Sequence, residues 1–144
     1  MNKVLILCTG NSCRSQMAEG LLKYFSPNTQ VYSAGTKPEA VNPFAVEAMA
    51  NIGIDIADFK SNHADEYADV DFDFVFTVCD NAKEICPIYP KAKQLIHHSF
   101  TDPADATGTE QEQLKVYVSV RNELATYFTS FLIMKIDLSK NSCF

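Results

Sequence analysis

Cys8 and Arg14 are the residues whose types and spacing most favour chemistry in this chain. Cys8 ends a short apolar run, and the turn-rich residues 9–14 follow it, with Gly10 and Asn11 among them. Successive N–H groups of such a loop, with a helix N-terminus behind them, bind a tetrahedral oxyanion, and an arginine fork binds two of its oxygens. The same field favours thiolate over thiol, so Cys8 is predicted to be a nucleophile beneath a bound anion.

The alternative interpretation is a small buried cysteine at a strand end and a surface arginine. The spacing alone is a weak signal, because the chain has five cysteines. The position of the motif between a predicted strand and a predicted helix gives it weight. Ser15 follows directly, and its hydroxyl can donate a hydrogen bond to the Cys8 sulfur and stabilise its negative charge.

Asp102 is a candidate general acid. It follows a predicted fourth strand, so we expect it at the same edge of the sheet as Cys8, and Pro103 stiffens its loop. A carboxylic acid there could protonate a departing oxygen. The alternative is an Asp-Pro pair that only forms a turn.

Strands and helices alternate along the chain and would position these residues. Predicted strands cover residues 3–8, 31–35, 72–79 and 94–100. Predicted helices follow residue 14 as far as Pro27, then cover residues 44–52 with Asn42 as N-cap, a short stretch at 80–85, and residues 110–131. This order predicts a doubly wound α/β fold with a parallel sheet. We divide the chain into one catalytic domain, residues 1–131, and a tail of uncertain structure, residues 132–144, in which Cys143 is incidental.

Composition excludes several classes of protein. A chain of 144 residues favours one domain, and 47% hydrophobic with 21% charged residues is typical of a globular protein rather than a disordered one. A net charge of −6 argues against nucleic acid or an anionic membrane as partner. Without a signal peptide or an apolar stretch of about 18 residues, we expect a cytoplasmic protein whose scattered cysteines are thiols.

The segment Cys-Thr-Gly-Asn-Ser-Cys-Arg-Ser-Gln-Met-Ala-Glu, residues 8–19, resembles the active-site segment shared by low-molecular-weight protein tyrosine phosphatases and thioredoxin-coupled arsenate reductases. Residues 32–35, 42–43 and 101–104 are also similar to that superfamily. The resemblance implies a four-stranded parallel sheet with helices on both faces, with Cys8 as nucleophile, Arg14 as oxyanion clamp and Asp102 as general acid. The residues that bind the oxyanion or support the loop would be Thr9, Gly10, Asn11, Ser12, Cys13 and Ser15, with Cys13 packed inside the loop.

Two further cysteines distinguish the two branches. A reductase must transfer two electrons to its oxyanion, and a pair of thiols supplies them by forming a disulfide. Cys79 ends the third predicted strand and Cys86 lies seven residues on, which on an intact helix places the sulfurs about 10 Å apart, too far for a disulfide. The short polar stretch between them would have to unwind. The alternative is two buried cysteines near a sheet edge.

Residues 78–87 resemble the redox segment of the arsenate reductases, and Gln16 and Ala104 stand where phosphatases usually have proline and tyrosine. The implied mechanism begins when Cys8 attacks arsenate; Cys79 then attacks Cys8 and releases arsenite, and Cys86 forms the final disulfide with Cys79. Thioredoxin would be the reductant, phosphate or sulfate would mimic arsenate, and no tightly bound cofactor is expected. The remaining alternatives are a phosphotyrosine phosphatase with a cysteinyl-phosphate intermediate and a non-catalytic oxyanion-binding protein.

A potassium site is a weaker implication of the resemblance. Asn11, Glu19 and Ser33 match positions that bind potassium in some arsenate reductases. The fourth ligand there is usually aspartate, whereas its counterpart here is Asn62. The three histidines lack metal-ligand spacing with the cysteines, so we interpret them as structural or surface residues.

Overall fold

Four parallel strands form one sheet in a computed structural model that describes residues 2–80 and 91–142. The strands are β1 (Lys3–Cys8), β2 (Gln30–Gly35), β3 (Phe72–Thr77) and β4 (Ala92–His97). Their spatial order is β2-β1-β3-β4, and every neighbouring pair is parallel. The predicted four-stranded parallel sheet is therefore confirmed, with β1 at an inner position and Cys8 at its carboxyl end.

The apolar run of β1 is buried on both of its faces, as a central parallel strand requires. Val4 and Ile6 belong to the larger hydrophobic cluster, and Leu5 and Leu7 belong to a second cluster on the opposite face. This continuous burial fixes the strand firmly, so the residue that ends it, Cys8, has a defined position.

Three α-helices contribute to the larger cluster: α1 (Arg14–Phe25), α2 (Pro43–Ala50) and α3 (Glu110–Ser142). On the opposite face, the described cover is the 3-10 helix Ala64–Tyr67, whose Tyr67 ring packs against Phe72. No helix in these parts of the chain is long and apolar enough to span a membrane.

The predicted N-cap of α2, Asn42, is confirmed. The side chain of Asn42 accepts a hydrogen bond from the N–H of Phe44 at 2.8 Å, and Pro43 occupies the first helical position of α2. Gly53 follows the helix with a φ of +80°, a conformation that glycine adopts without steric cost.

Several element ends differ from the prediction. β3 ends at Thr77, before Cys79, and β4 runs two residues earlier than expected at its start. Residues 81–85 of the predicted short helix lie outside the described residues. α3 continues past its predicted end at Phe131 as far as Ser142. Residues 132–142 contain neither glycine nor proline, so nothing in the sequence stops the helix there.

Candidate active site

The loop between β1 and α1 forms the wall of a cavity of about 290 Å³ at the carboxyl edge of the sheet. Cys8 is 2% exposed and lies at the cavity boundary. The residues that line the cavity come from three loops: Cys8, Thr9, Gly10, Ser12, Cys13, Arg14, Lys37, Glu39, Asp102, Ala104 and Asp105. The structure thus brings together most of the predicted oxyanion residues, at the sheet edge where parallel sheets bind their ligands.

Asn11 and Ser15 do not line the cavity but support its wall. Asn11 is fully buried and has a φ of +49°, a left-handed conformation that few residues other than glycine adopt. Its Nδ2 donates to Ser15 Oγ at 2.8 Å and to Ser33 Oγ at 2.9 Å, and its Oδ1 accepts from the N–H of Asn62 at 2.8 Å. These bonds hold the strained residue in place, and the functional role that the resemblance implies for it stays a prediction. The predicted contact of Ser15 with the Cys8 sulfur stays a prediction.

Gly35, the last residue of β2, allows the loop to approach the sheet closely. A β-carbon at this position would lie 2.4 Å from the backbone oxygen of Thr9 and 3.0 Å from the backbone nitrogen of Asn11. Any larger residue would push the loop away from β2. Sequence reasoning assigned no such role to Gly35, because the contact is formed between residues far apart in the chain.

Arg14 begins α1 and is buried beside the cavity. Its Nη1 donates to the carbonyl oxygen of Phe100 at 3.2 Å, and its Nη2 lies 3.5 Å from Asp102 Oδ2. The guanidinium is therefore oriented by the loop that follows β4, and it places a fixed positive charge at the cavity.

Asp102 lies where the sequence predicted, at the same sheet edge as Cys8, with its side chain 27% exposed. Its Oδ1 also accepts from the N–H of Ala104 at 3.0 Å and caps the 3-10 helix Pro103–Asp105. Both interpretations of this residue are thus compatible with its geometry, since the carboxylate forms the turn and also faces the cavity. Its role as an acid stays a prediction.

Cys13 is a second thiol in the same loop, and its surroundings disfavour ionisation. Burial raises its pKa to about 11, although its Sγ lies 3.5 Å from Ser12 Oγ and 3.9 Å from the hydroxyl oxygen of Tyr117. A thiol with such a pKa remains protonated near neutral pH and is a poor nucleophile. The packing role that the resemblance implies for Cys13 stays a prediction.

Cys79 is fully buried and follows β3 at the edge of the sheet that carries Cys8. The N–H of Val78 donates to the carbonyl oxygen of Leu7 at 3.0 Å, so the two chain segments run side by side up to the residues that precede both cysteines. Cys79 is disulfide-bonded, whereas Cys8 and Cys13 are not. Cys86, the predicted relay partner of Cys79, lies outside the described residues.

The side chains of the expected potassium site are hydrogen-bonded to one another. Ser33 Oγ donates to Glu19 Oε1 at 2.6 Å, and the Lys23 ammonium lies 2.6 Å from Glu19 Oε2. Asn11 turns its amide nitrogen, not its oxygen, towards Ser33. Among the described residues, no group of three or more His, Cys, Asp or Glu side chains could hold a metal ion. As arranged, these residues do not fit a potassium ion, because Lys23 already balances the charge of Glu19.

The histidines have structural contacts. His63 Nδ1 accepts from the N–H of Asp65 at 3.0 Å and caps a 3-10 helix, and His97 Nδ1 lies 2.7 Å from Thr77 Oγ1 across two strands. Neither histidine lines the cavity.

A cysteine and an arginine on one loop, beside a cavity at the carboxyl edge of the sheet, are the arrangement on which the resemblance depends. The sequence profile of the low molecular weight phosphotyrosine protein phosphatase family matches residues 3–132. The chain belongs to this family. Both the expected family and the expected fold are thereby confirmed.

Similar relatives of this chain are named arsenate reductase rather than phosphatase. An arsenate reductase of Halalkalibacterium halodurans is 46% identical over 134 residues, covering 91% of this chain and 96% of that protein. An arsenate reductase of Shouchella clausii is 46% identical over 136 residues, with the same coverage of both chains. A solved structure of an arsenate reductase in the phosphate binding state is 29% identical, with a TM-score of 0.79 over 93% of this chain and 98% of that one.

Proposed function

We propose that this member of the family reduces arsenate to arsenite by thiol chemistry, and that thioredoxin regenerates it. The observation that carries the proposal is Cys79, a buried, disulfide-bonded cysteine at the carboxyl edge of the sheet, where Cys8 ends the neighbouring strand. Hydrolysis requires one nucleophilic cysteine and water, whereas reduction requires a second thiol to accept the first sulfur. The relatives named arsenate reductase, which match nearly the whole chain, support the same conclusion.

The cavity suits a small tetrahedral oxyanion. Arsenate has the shape and charge of phosphate, and the similar solved structure is of an arsenate reductase in its phosphate binding state. Arg14 supplies a fixed cation, and none of the described lining residues is an aromatic side chain that could stack on a phosphotyrosine ring. This lining favours arsenate over phosphotyrosine as the substrate.

In the first step, the Cys8 thiolate attacks the arsenic atom, a sulfur–arsenic bond forms, and one oxygen leaves as water. Asp102 is the group placed to donate the proton to that oxygen, because its carboxyl lies beside Arg14 at the cavity. Cys13 cannot substitute for Cys8, because its raised pKa keeps it protonated.

In the second step, the Cys79 thiolate attacks the Cys8 sulfur. A disulfide forms, and the electron pair of the sulfur–arsenic bond reduces arsenic(V) to arsenic(III), which leaves as arsenite. Cys86 then attacks Cys79, so that a Cys79–Cys86 disulfide forms and the Cys8 thiolate is restored. The dithiol of thioredoxin finally reduces that disulfide by two electrons, and the cycle is complete.

The deciding experiment measures arsenite formed from arsenate by the full chain with thioredoxin, thioredoxin reductase and NADPH. We expect Cys79→Ser and Cys86→Ser each to abolish multiple turnover, since each removes one relay thiol. Cys86→Ser should still release arsenite once and leave a Cys8–Cys79 disulfide, which peptide mapping would detect. Cys143→Ser is the matched control and should behave as the wild type.

Three results would contradict the proposal. Unaffected multiple turnover by Cys86→Ser would exclude the relay. A wild-type chain that forms no arsenite but hydrolyses a small aryl phosphate rapidly would be a phosphatase, and one that binds phosphate without either reaction would be an oxyanion-binding protein.

A further inference from the structure

In the loop between β1 and α1, each backbone carbonyl from residue 9 to residue 12 accepts a hydrogen bond from a residue outside the loop. Three of them are held by backbone N–H groups of the segment 37–42: Thr9 by Lys37 at 2.9 Å, Gly10 by Glu39 at 2.8 Å and Ser12 by Asn42 at 3.0 Å. In a trans peptide the carbonyl and the following N–H point in opposite directions, and the described chain contains no cis peptide bond. Holding these carbonyls therefore directs the following N–H groups away from the segment 37–42.

The carbonyl of Asn11 differs, because only side chains hold it. Gln16 Nε2 donates to this oxygen at 2.9 Å from five residues further along the chain, and Ser61 Oγ donates to it at 2.8 Å. The N–H on the opposite side of this peptide belongs to Ser12, which lines the cavity. The direction of that donor thus depends on side chains in a way that the neighbouring donors do not.

We propose that Gln16 is a positioning residue for the oxyanion: its carboxamide fixes the Asn11–Ser12 peptide so that the Ser12 N–H points at the bound anion. The inference rests on the proposed function only in that the cavity binds an oxyanion. Gln16 itself touches neither the substrate nor the reacting atoms, and acts through the peptide that it holds.

Burial and hydrogen bonding of Gln16 support this role. The side chain is fully buried, and its second amide hydrogen is donated to the carbonyl oxygen of Lys60 at 3.1 Å. Its Oε1 is buried and has no hydrogen-bond partner among the described residues. A buried oxygen without a partner lowers stability, so an apolar side chain would suit this position better if packing alone mattered. The two donated bonds explain why a glutamine fits here.

Ser61 is the weaker of the two donors to Asn11. Its hydroxyl has a single hydrogen, and the carbonyl oxygen of Glu39 is also within hydrogen-bond distance of Ser61 Oγ. One hydrogen cannot serve two carbonyls fully at once. Gln16, in contrast, has a separate N–H for each of its two acceptors, so it is the donor that keeps the Asn11 carbonyl turned away from the cavity.

The test is Gln16→Met, which keeps the length of the side chain and removes both donors. We expect the dissociation constant for inorganic phosphate, measured by calorimetry on the reduced full chain, to rise about tenfold, as loss of one hydrogen bond to a charged group implies. The midpoint of Cys8 alkylation against pH, followed by peptide mapping with iodoacetamide, should shift upwards, because the same N–H stabilises the thiolate. A merely structural glutamine would leave that midpoint unchanged.

Gln113→Met is the matched control. Gln113 Nε2 also donates to a backbone carbonyl five residues back, that of Gly108, at 2.9 Å, but at the start of α3 and away from the cavity. Its phosphate affinity and alkylation midpoint should equal those of the wild type. If Gln16→Met is too unstable to purify, Gln16→Leu replaces it, since leucine also lacks a donor and places no charge near the anion, and it should lose a similar share of phosphate affinity.

Phosphate affinity within twofold of wild type in a folded Gln16→Met or Gln16→Leu variant would overturn the inference. So would an equal loss in Gln113→Met, because the effect would then reflect general stability. Failure of the wild type to reduce arsenate would defeat the proposed function instead, and the phosphate measurement distinguishes the two outcomes.

Discussion

The loop after β1 and the loop after β4 both face the cavity, but they are held in different ways. In the first, Asn11 is fully buried, and every carbonyl from residue 9 to residue 12 accepts a hydrogen bond. In the second, the Asp102 side chain is 27% exposed and is held by one ion pair and one capping bond. Donors that bind an oxyanion act best when they are fixed in advance, whereas an acid must regain its proton from water in every cycle. The rigid first loop therefore suits binding of the oxyanion, and the more exposed side chain on the second loop suits proton transfer.

Cys8→Ser should have the largest effect, because it removes the nucleophile that the first loop surrounds. We expect the rates of arsenate reduction and aryl phosphate hydrolysis to fall by about 10³-fold or more, since a serine hydroxyl stays protonated where the thiol ionises. Phosphate binding and the melting temperature should change little. A variant that keeps more than a tenth of the wild-type reduction rate would exclude Cys8 from the mechanism.

Asp102→Asn tests the second loop and should have a smaller effect. Asparagine retains an oxygen that can accept from the N–H of Ala104, so the turn should persist. We expect hydrolysis of aryl phosphates with poor leaving groups to slow by about 10²-fold, the lower end of the range for a general acid, and good leaving groups to be affected less. Equal slowing across the series of leaving groups would mean that Asp102 only shapes its loop.

The features of these two loops could be predicted from the sequence where they depend on contacts between residues close together in the chain. The position of Cys8, the start of α1 and the Asn42 cap follow from short patterns of apolar, turn and capping residues, and the structure has them where expected. The bonds that Asn11 receives from Ser61 and the close approach of Gly35 join distant parts of the chain, so no local pattern indicates them. The Glu19–Lys23 pair did have a local signal, because oppositely charged residues four apart on a helix lie side by side.

Lys23→Met should have the smallest effect, and it tests the side chains that support the first loop. The Lys23 side chain is 46% exposed, so its ion pair with Glu19 contributes only about 0.3–0.5 kcal/mol. Because Lys23 neutralises Glu19, the melting temperature of the wild type should be the same in potassium and sodium chloride at equal ionic strength. In Lys23→Met, added salt of either cation should raise the melting temperature more than it does in the wild type, since Glu19 then lacks a cation.

Lys93→Met is the control for this measurement, because it removes a comparable lysine–carboxylate pair, that with Asp73, at a distant surface. A potassium-specific stabilisation of the wild type would contradict this expectation and show that an ion binds beside Lys23.

The charges that line the cavity have a consequence for what can bind there. Its described lining holds the carboxyl groups of Glu39, Asp102 and Asp105 and the cations of Lys37 and Arg14, and Asp102 pairs with Arg14. An incoming anion is thus attracted by the two cations and repelled by Glu39 and Asp105, and repulsion between charges grows with the number of charges that face each other. A free oxyanion carries no charge beyond the group that is bound. A phosphorylated peptide with acidic neighbours would hold its remaining negative charges near these carboxylates for as long as it stayed bound.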